Sequence, residues 1–343
     1  MKKQESHDFR RGSIKVLVIG GTGNISRGIV AALQNRNHEV VLFNRGQHAD
    51  PPPPDARVIR GDRKNREDFE AKVGAENWDA VIDMISFNAE DAASALRACQ
   101  GRVGHFVHCS TVMTYGPPFS GINLPETAPL QGTSGYGLGK IEADNLLLAA
   151  HARDGFPVTI FKPSYTHGPG MNLHRQVGGD GSWIDRLRKG KPILSAGDGL
   201  NYFQFLSSRD AGIAFTDVLG RSDCFGEIYN IVHPQARTWD EWHRAAADAL
   251  GVDIEIVHVS QETLIAMAPE RFSGLRGNFG HTQIFSHEKL SAVLPEFSPQ
   301  VPVTESVAEN IAWMDKHNLV PDSDADDLED QIIETVRNLP RIR

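Results

Sequence analysis

Apolar and polar positions along this chain fall into two alternating patterns. Short β-branched apolar runs are each followed by stretches with apolar residues three and four apart. The first run is Val16-Leu17-Val18-Ile19, and a helical pattern with Ile25, Ile29, Ala32 and Leu33 on one face follows it to about residues 35–37. Further runs stand at 38–43, 58–59, 80–85, 105–109, 158–162 and 227–231, with helical stretches at 69–73, 90–99 and 136–151. Runs that are apolar on both faces suit strands covered from both sides. Strands alternating with helices predict an α/β fold built on a doubly wound parallel sheet.

The remainder is less regular. Residues 115–135 are rich in Pro and Gly, and residues 166–200 in Gly, His, Asn and Arg. A stretch of the second kind after a late strand is a natural home for substrate loops. Thr238, with Glu241 three residues on, has the spacing of a capping box and predicts a helix to Leu250. Residues 254–259 read as a strand outside the main sheet, and 260–320 as mainly helical. Residues 1–12 read as a loose tail. At the other end, 321–343 begin acid-rich and then place Leu328, Ile332, Val336 and Leu339 at helical spacing. That predicts a helix that packs on the chain or meets another subunit.

The first strand–helix junction carries chemistry. Between Ile19 and the helix lies Gly20-Gly21-Thr22-Gly23. Strand, glycine turn and helix together form the phosphate-binding opening of a Rossmann unit. Gly20 permits the tight turn, Gly23 permits close approach of a pyrophosphate, and the helix N-terminus offers free N–H groups. The third position of the glycine spacing is Ser26, which predicts looser helix–strand packing. This assigns 12–170, with 202–232 returning, to a dinucleotide-binding Rossmann domain. A smaller, mixed α/β substrate-binding region takes 171–201 and 233–320, and 321–343 form a C-terminal helix and tail.

Composition narrows the function. A net charge of −9 argues against general affinity for nucleic acid or anionic membranes. Three cysteines without C-x-x-C or metal spacing fit a reduced, cytoplasmic compartment. The charged N-terminus lacks the apolar core of a signal peptide, and no apolar run is long enough for a membrane span. No histidine or cysteine spacing calls for a metal.

Tyr136 and Lys140 form Y-x-x-x-K, and on a helix such positions share a face. A nearby ammonium favours the phenolate and lowers the tyrosine pKa, fitting it for acid–base work on an alcohol or carbonyl. Thr111 lies at the C-terminal end of a predicted strand, where open α/β sheets place their ligands. Its hydroxyl is suited to bond the same substrate oxygen, with Ser110 as an adjacent stand-in.

With these residues in view, the chain resembles the extended short-chain dehydrogenase/reductase superfamily, in its epimerase/dehydratase branch. The matching pieces are G-G-T-G-N-I at 20–25, F-N-R-G at 43–46, G-D-R at 61–63, C-S-T-V-M-T-Y-G at 109–116, Y-G-L-G-K at 136–140, K-P-S-Y-T-H-G-P-G at 162–170 and Y-N-I at 229–231. They run in the family's order through most of the chain to about residue 250. The resemblance implies a nicotinamide cofactor held by Gly20, Thr22, Gly23, Asn24, Ile25, Asn44, Arg45, Asp62, Ser110, Tyr136, Lys140 and Lys162. It implies Tyr136 as acid/base, Lys140 on the nicotinamide ribose and tuning Tyr136, and Thr111 orienting substrate. Asp62 resembles the family's adenine contact. A homodimer through two helices of the cofactor domain is also implied.

Departures from the family shape the substrate. Val112-Met113 follow Thr111 where sugar 4,6-dehydratases carry Asp-Glu, so that dehydration is not expected. Phe203 stands where nucleotide-sugar epimerases grip phosphate with arginine, leaving Arg209 and Arg276 as substitutes. Lys162 replaces an arginine before Pro163, keeping the charge but losing the planar fork. The second strand ends in Asn44-Arg45 with no acid, which favours NADP over NAD. His167, Asn172, His174, Arg175 and Gln204 are the candidate substrate contacts. The expected activity is an NAD(P)-dependent epimerase or oxidoreductase acting on a hydroxyl or ketone of a carbohydrate-like small molecule. The alternatives are an NADPH-dependent carbonyl reductase of a non-sugar substrate and a non-catalytic RNA-binding member of the fold.

Overall fold

The computed structural model describes residues 12–47 and 50–339. The tail expected over 1–12 lies outside the described residues except for Gly12, as do the last four residues of the tail at 340–343. The observed elements follow the sequence reading closely. They are β1 (Lys15–Ile19), α1 (Asn24–Asn35), β2 (Glu39–Asn44), β3 (Arg57–Arg60), α2 (Arg66–Val73), β4 (Trp78–Asp83), α3 (Ala89–Cys99), β5 (Val103–Cys109), α4 (Gly135–Asp154) and β6 (Val158–Pro163). A later strand, Glu227–Ile231, completes a seven-stranded sheet in which β6, β5, β4, β1, β2 and β3 follow it in order. Every pairing is parallel. β4 stops two residues short of the expected end, because the Asp83 carboxylate accepts from the Ile85 amide at 3.0 Å and turns the backbone out of the sheet.

The chain divides into two compact units. The first holds the described residues up to Thr166, together with Ser208–His233 and Phe285–Gln300. On one face of its sheet, Leu17, Ile19, Val41, Val81, Phe106 and Ile160 pack against Phe69 of α2, Ala92 and Ala95 of α3, and Ala143 and Leu147 of α4. Alternate strand residues serve the other face. There Phe161 meets Phe215 of the helix Ser208–Asp217 edge-on at 5.0 Å. That helix crosses α1 where both carry glycine. A Cβ on Gly28 would stand 1.8 Å from the Ser208 carbonyl oxygen, and one on Gly212 would stand 2.2 Å from Gly28.

The second unit comprises His167–Ser207, Pro234–Ile284 and the described residues from Val301. Thr238 and Glu241 form the expected capping box at the start of the helix Trp239–Leu250. The irregular stretch at 166–200 contains a short helix, Ser182–Arg188, and a strand, Ile193–Ala196, that pairs in parallel with Ile256–Val259. Elements of seven and four residues carry too few periods to announce themselves in sequence. The C-terminal helix, Leu328–Arg337, packs on its own chain through Ile332 and Ile333, which join Leu194, Val259 and Leu264. Arg175 fastens it with two bonds to Glu329, at 2.8 and 2.6 Å. Leu339, placed on the apolar stripe by sequence, lies past the helix and is exposed.

Two buried histidines make stability pH-dependent. His105 on β5 accepts from the Gly220 amide at Nδ1 and pairs through Nε2 with Thr159, whose hydroxyl donates to the Cys224 carbonyl. Burial pushes its pKa down to about 3. His243 in the second unit lies between Trp183 and Trp239, and burial, aided by the Arg175 charge, takes it to about 3 as well. The unfolded chain binds these protons near pH 6.5. Between about pH 6.5 and 3 the unfolded state therefore holds more protons, and stability falls as pH drops. Each group is expected to cost roughly 1.4 kcal/mol per pH unit below 6.5. Denaturation midpoints at pH 7 and 5 check this, and equal midpoints would contradict it.

Candidate active site

The phosphate turn has the expected construction. Gly20 has φ +83°, and a Cβ there would meet the Ile85 side chain at 2.6 Å. Gly23 caps α1 without a side-chain bond, and no acid occupies the first turn, so the amide dipoles there keep their positive end for an anion. Thr22, Gly23, Asn24 and Ile25 are all half-buried around this turn. Asn24 donates to the Thr166 carbonyl at 2.6 Å, which ties the turn to the chain beyond β6. Ser26 does not loosen the packing as its size suggests. It is buried, and its hydroxyl donates to the Gly20 carbonyl at 2.7 Å, clasping helix to strand.

At the end of β2 the Asn44 side chain turns inward and accepts from the Gly46 amide at 2.9 Å. Arg45 is exposed and makes no ion pair among the described residues. The Arg60 guanidinium carbon lies where a Cβ on Gly46 would sit 3.4 Å away, so a second cation flanks the same strand ends. Asp62 accepts from the Lys64 amide at 2.9 Å and so serves a turn. Its neighbour Arg63 is buried, with one nitrogen 2.9 and 3.0 Å from the two Asp83 oxygens and another 2.8 Å from the Asp91 carbonyl.

Thr111, Tyr136 and Lys140 come together at the C-terminal end of β5. Ser134 caps α4 by accepting from the Gly137 amide at 3.0 Å, which sets Tyr136 in the first helical turn. The Thr111 hydroxyl accepts from the Met113 amide at 3.2 Å and acts on the nearby Tyr136 phenol, while Tyr136 as a whole remains 46% exposed. Lys140, one turn on, is buried. Its ammonium donates to the Ser86 carbonyl at 2.7 Å and the Cys109 carbonyl at 2.5 Å, and lies 5.9 Å from the Tyr136 ring centre.

One expectation is corrected here. Lys140 does not bring the tyrosine pKa down. Tyr136 is pushed up to about 12, first by burial, with the nearby Thr111 hydroxyl pulling the other way. Two of the three lysine N–H donors go to backbone carbonyls, and burial lowers the Lys140 pKa as well.

Two other residues expected at the cofactor are turned inward. The Ser110 hydroxyl donates to Asp144 at 2.8 Å. Lys162 is fully buried, 3.7 Å from the same carboxylate and 4.5 Å from the centre of the Tyr115 ring. Neither side chain is open to a ligand. Sequence reading passed over Asp144 and its neighbour His108, whose Nε2 lies 3.4 Å from it. The signal was available, since 136, 140 and 144 share one helical face.

The substrate candidates of the second unit divide. His167, Arg175 and Gln204 are buried. His167 pairs with the Ser306 hydroxyl at 2.6 Å and packs on Trp242, and both terminal nitrogens of Arg175 are bonded to Glu329. These side chains build that unit's interior. Asn172 and His174 are half-buried, and burial lowers the His174 pKa. Phe203 is core too, within 5.2 Å of Trp239 and 5.8 Å of Phe279 between ring centres.

Comparison with known proteins gives the family and the fold. The sequence profile of the NAD dependent epimerase/dehydratase family matches residues 16–231. The 2'-dehydrokanamycin reductase of Streptomyces kanamyceticus is 31% identical over 250 residues, which are 73% of this chain and 70% of that protein. The chloroplast stem-loop binding protein of 41 kDa b from Arabidopsis thaliana is 29% identical over 261 residues, 71% of this chain and 65% of that one. In fold, the chain is similar to a dTDP-glucose 4,6-dehydratase from Bacillus anthracis crystallised with NAD. The TM-score is 0.70 and the identity 20%, over 89% of this chain and 98% of that one. With its matching profile and its place among such enzymes, the chain belongs to the NAD dependent epimerase/dehydratase family.

Proposed function

We propose that the protein is an NADP-preferring oxidoreductase that reduces a ketone, or oxidises the matching hydroxyl, on a carbohydrate-like substrate. The observation that carries this reading is the meeting of Tyr136 and a buried Lys140 at the C-terminal end of β5, just before Thr111, with the Lys140 ammonium 5.9 Å from the Tyr136 ring centre and 2.5 Å from the Cys109 carbonyl. The uncapped N-terminus of α1 and the bare backbone at Gly20 and Gly23 fit a dinucleotide pyrophosphate. A bound nicotinamide supplies or accepts the hydride. Tyr136 delivers the proton from its hydroxyl to the substrate oxygen, and Thr111 bonds that same oxygen and fixes its position. A tyrosine held in its protonated form starts as a donor, which suits ketone reduction.

The aromatic packing of Phe203 leaves no cation at that position for a nucleotide diphosphate, which supports a substrate without one. The relative named as a 2'-dehydrokanamycin reductase points the same way. The test is to isolate the protein without added nucleotide and identify any nicotinamide released on denaturation, then to follow NADPH oxidation with 2'-dehydrokanamycin and a panel of keto-sugars. Cofactor retained through purification, with no net turnover, would instead favour an internal redox cycle and an epimerase. Binding of neither dinucleotide, with tight salt-sensitive binding of a stem-loop RNA, would favour the non-catalytic reading.

Arg45 supports the NADP preference, with Arg60 beside it. Arg45→Ala is expected to weaken NADPH roughly tenfold while leaving NADH within about twofold, because only NADPH carries the 2'-phosphate. Fluorescence titration with both dinucleotides checks it, and equal losses would remove the assignment. A homodimer is proposed through the open face where α3 and α4 run side by side, lined by Ala93, Leu96, Leu146 and Ala149. Light scattering is expected to give twice the chain mass, and Leu146→Glu to return it to monomer.

A further inference from the structure

The stripe that bears Tyr136 and Lys140 continues one turn further, to Asp144. All three side chains reach the same three residues at the end of β5. Tyr136 feels the Thr111 hydroxyl, Lys140 donates to the Cys109 carbonyl at 2.5 Å, and Asp144 accepts from Ser110 at 2.8 Å. Residues four apart on α4 thus face consecutive residues 109, 110 and 111, with bonds to the first two. Asp144 is almost wholly buried and also faces Lys162, 3.7 Å away, and His108, 3.4 Å away. The Lys162 ammonium has no hydrogen-bond partner among the described residues, so this carboxylate is its nearest charge compensation. Lys162 rests on Tyr115, whose hydroxyl bonds Asn230 at 3.0 Å, so the cluster also reaches the last strand of the sheet.

We infer that Asp144 is a positioning residue: it locks the end of β5 onto α4 through Ser110, with Lys162 as its counter-charge, and so holds the Thr111 hydroxyl in register with Tyr136. The Ser110 amide donates to the Phe161 carbonyl at 2.7 Å, which fixes the backbone to β6, and the Asp144 bond adds a tie from the Ser110 side chain to α4, next to Thr111 in the chain. Reaction at a substrate oxygen depends on sub-ångström placement of its donors, so a small rotation there lowers turnover without touching the dinucleotide. The inference rests on the reading of Tyr136 and Thr111 given above.

The experiment compares the full-length wild type with Ser110→Ala, Asp144→Asn and the charge-matched double variant Asp144→Asn/Lys162→Met. NADPH and 2'-dehydrokanamycin serve as probes for kcat and KM, fluorescence titration gives the NADPH dissociation constant, and hydrogen exchange is measured at residues 109–115. In each variant kcat is expected to fall roughly 10- to 100-fold, with NADPH binding within about twofold of wild type and faster exchange confined to that segment. Should Asp144→Asn fail to fold through its uncompensated lysine, Ser110→Ala and the double variant decide. Wild-type kcat and wild-type exchange in those two would overturn the inference. Exchange is read without substrate, so it decides even if the wild type turns over no ketone. Full activity in Tyr136→Phe would instead sink the catalytic reading while leaving the exchange result standing.

Discussion

Replacing Tyr136 by phenylalanine is expected to lower kcat roughly a thousandfold, the range over which a positioned general acid acts. The substitution isolates the hydroxyl. The ring keeps its place near Phe87, 6.2 Å between centres. Lys140 keeps both of its bonds, since these go to the Ser86 and Cys109 carbonyls and none to the phenol. The aromatic surface and the helix cap at Ser134 are untouched. Melting temperature and NADPH affinity should therefore stay close to wild type, and the loss should appear in kcat with little change in KM. A Tyr136→Phe protein that is folded, binds NADPH and turns over at the wild-type rate would end the assignment of Tyr136 as acid/base. Loss of NADPH binding together with kcat would show a larger role in cofactor seating than the contacts support.

The second large effect is expected at Gly28, far in character from any chemistry. Alanine there would place a methyl group 1.8 Å from the Ser208 carbonyl oxygen, and the facing Gly212 leaves no slack because its own Cβ would strike the Gly28 backbone. Backbone cannot swing aside as a side chain end does, so α1 and the helix Ser208–Asp217 must separate. Overpacking of this kind costs about 3 kcal/mol, and more where two backbones are in contact. Gly28→Ala is expected to lower the melting temperature by several degrees. Because α1 also presents its N-terminus to the dinucleotide, NADPH binding should weaken with it. Gly23→Ala is the control, as its added methyl meets only the Ser26 hydroxyl at 3.7 Å. That variant should melt like wild type and lose affinity for NADPH, separating the cost of packing from the cost of blocking a phosphate.

The sequence alone determined the fold of the first unit. Apolar runs at 16–19, 38–43, 105–109 and 158–162 became β1, β2, β5 and β6 because they are too short for helices and suit strands buried on both faces. The glycine turn, the α4 pair at Tyr136 and Lys140, and the capping box at Thr238 were legible because each is a local device whose partners lie within a few residues. Tertiary structure decided what local spacing does not encode. Ser110 and Lys162 were expected at the cofactor and Arg175 and His167 at the substrate, and only the fold shows the first two facing Asp144 and the others paired with Glu329 and Ser306 from far along the chain. The direction of the Tyr136 shift reversed for the same reason. Spacing puts Lys140 near the phenol, but which acceptors take its protons depends on Ser86 and Cys109, brought in by neighbouring strands. Periodicity fixes which face of an element is buried, whereas burial depth and hydrogen-bond partners belong to the assembled sheet and its helices.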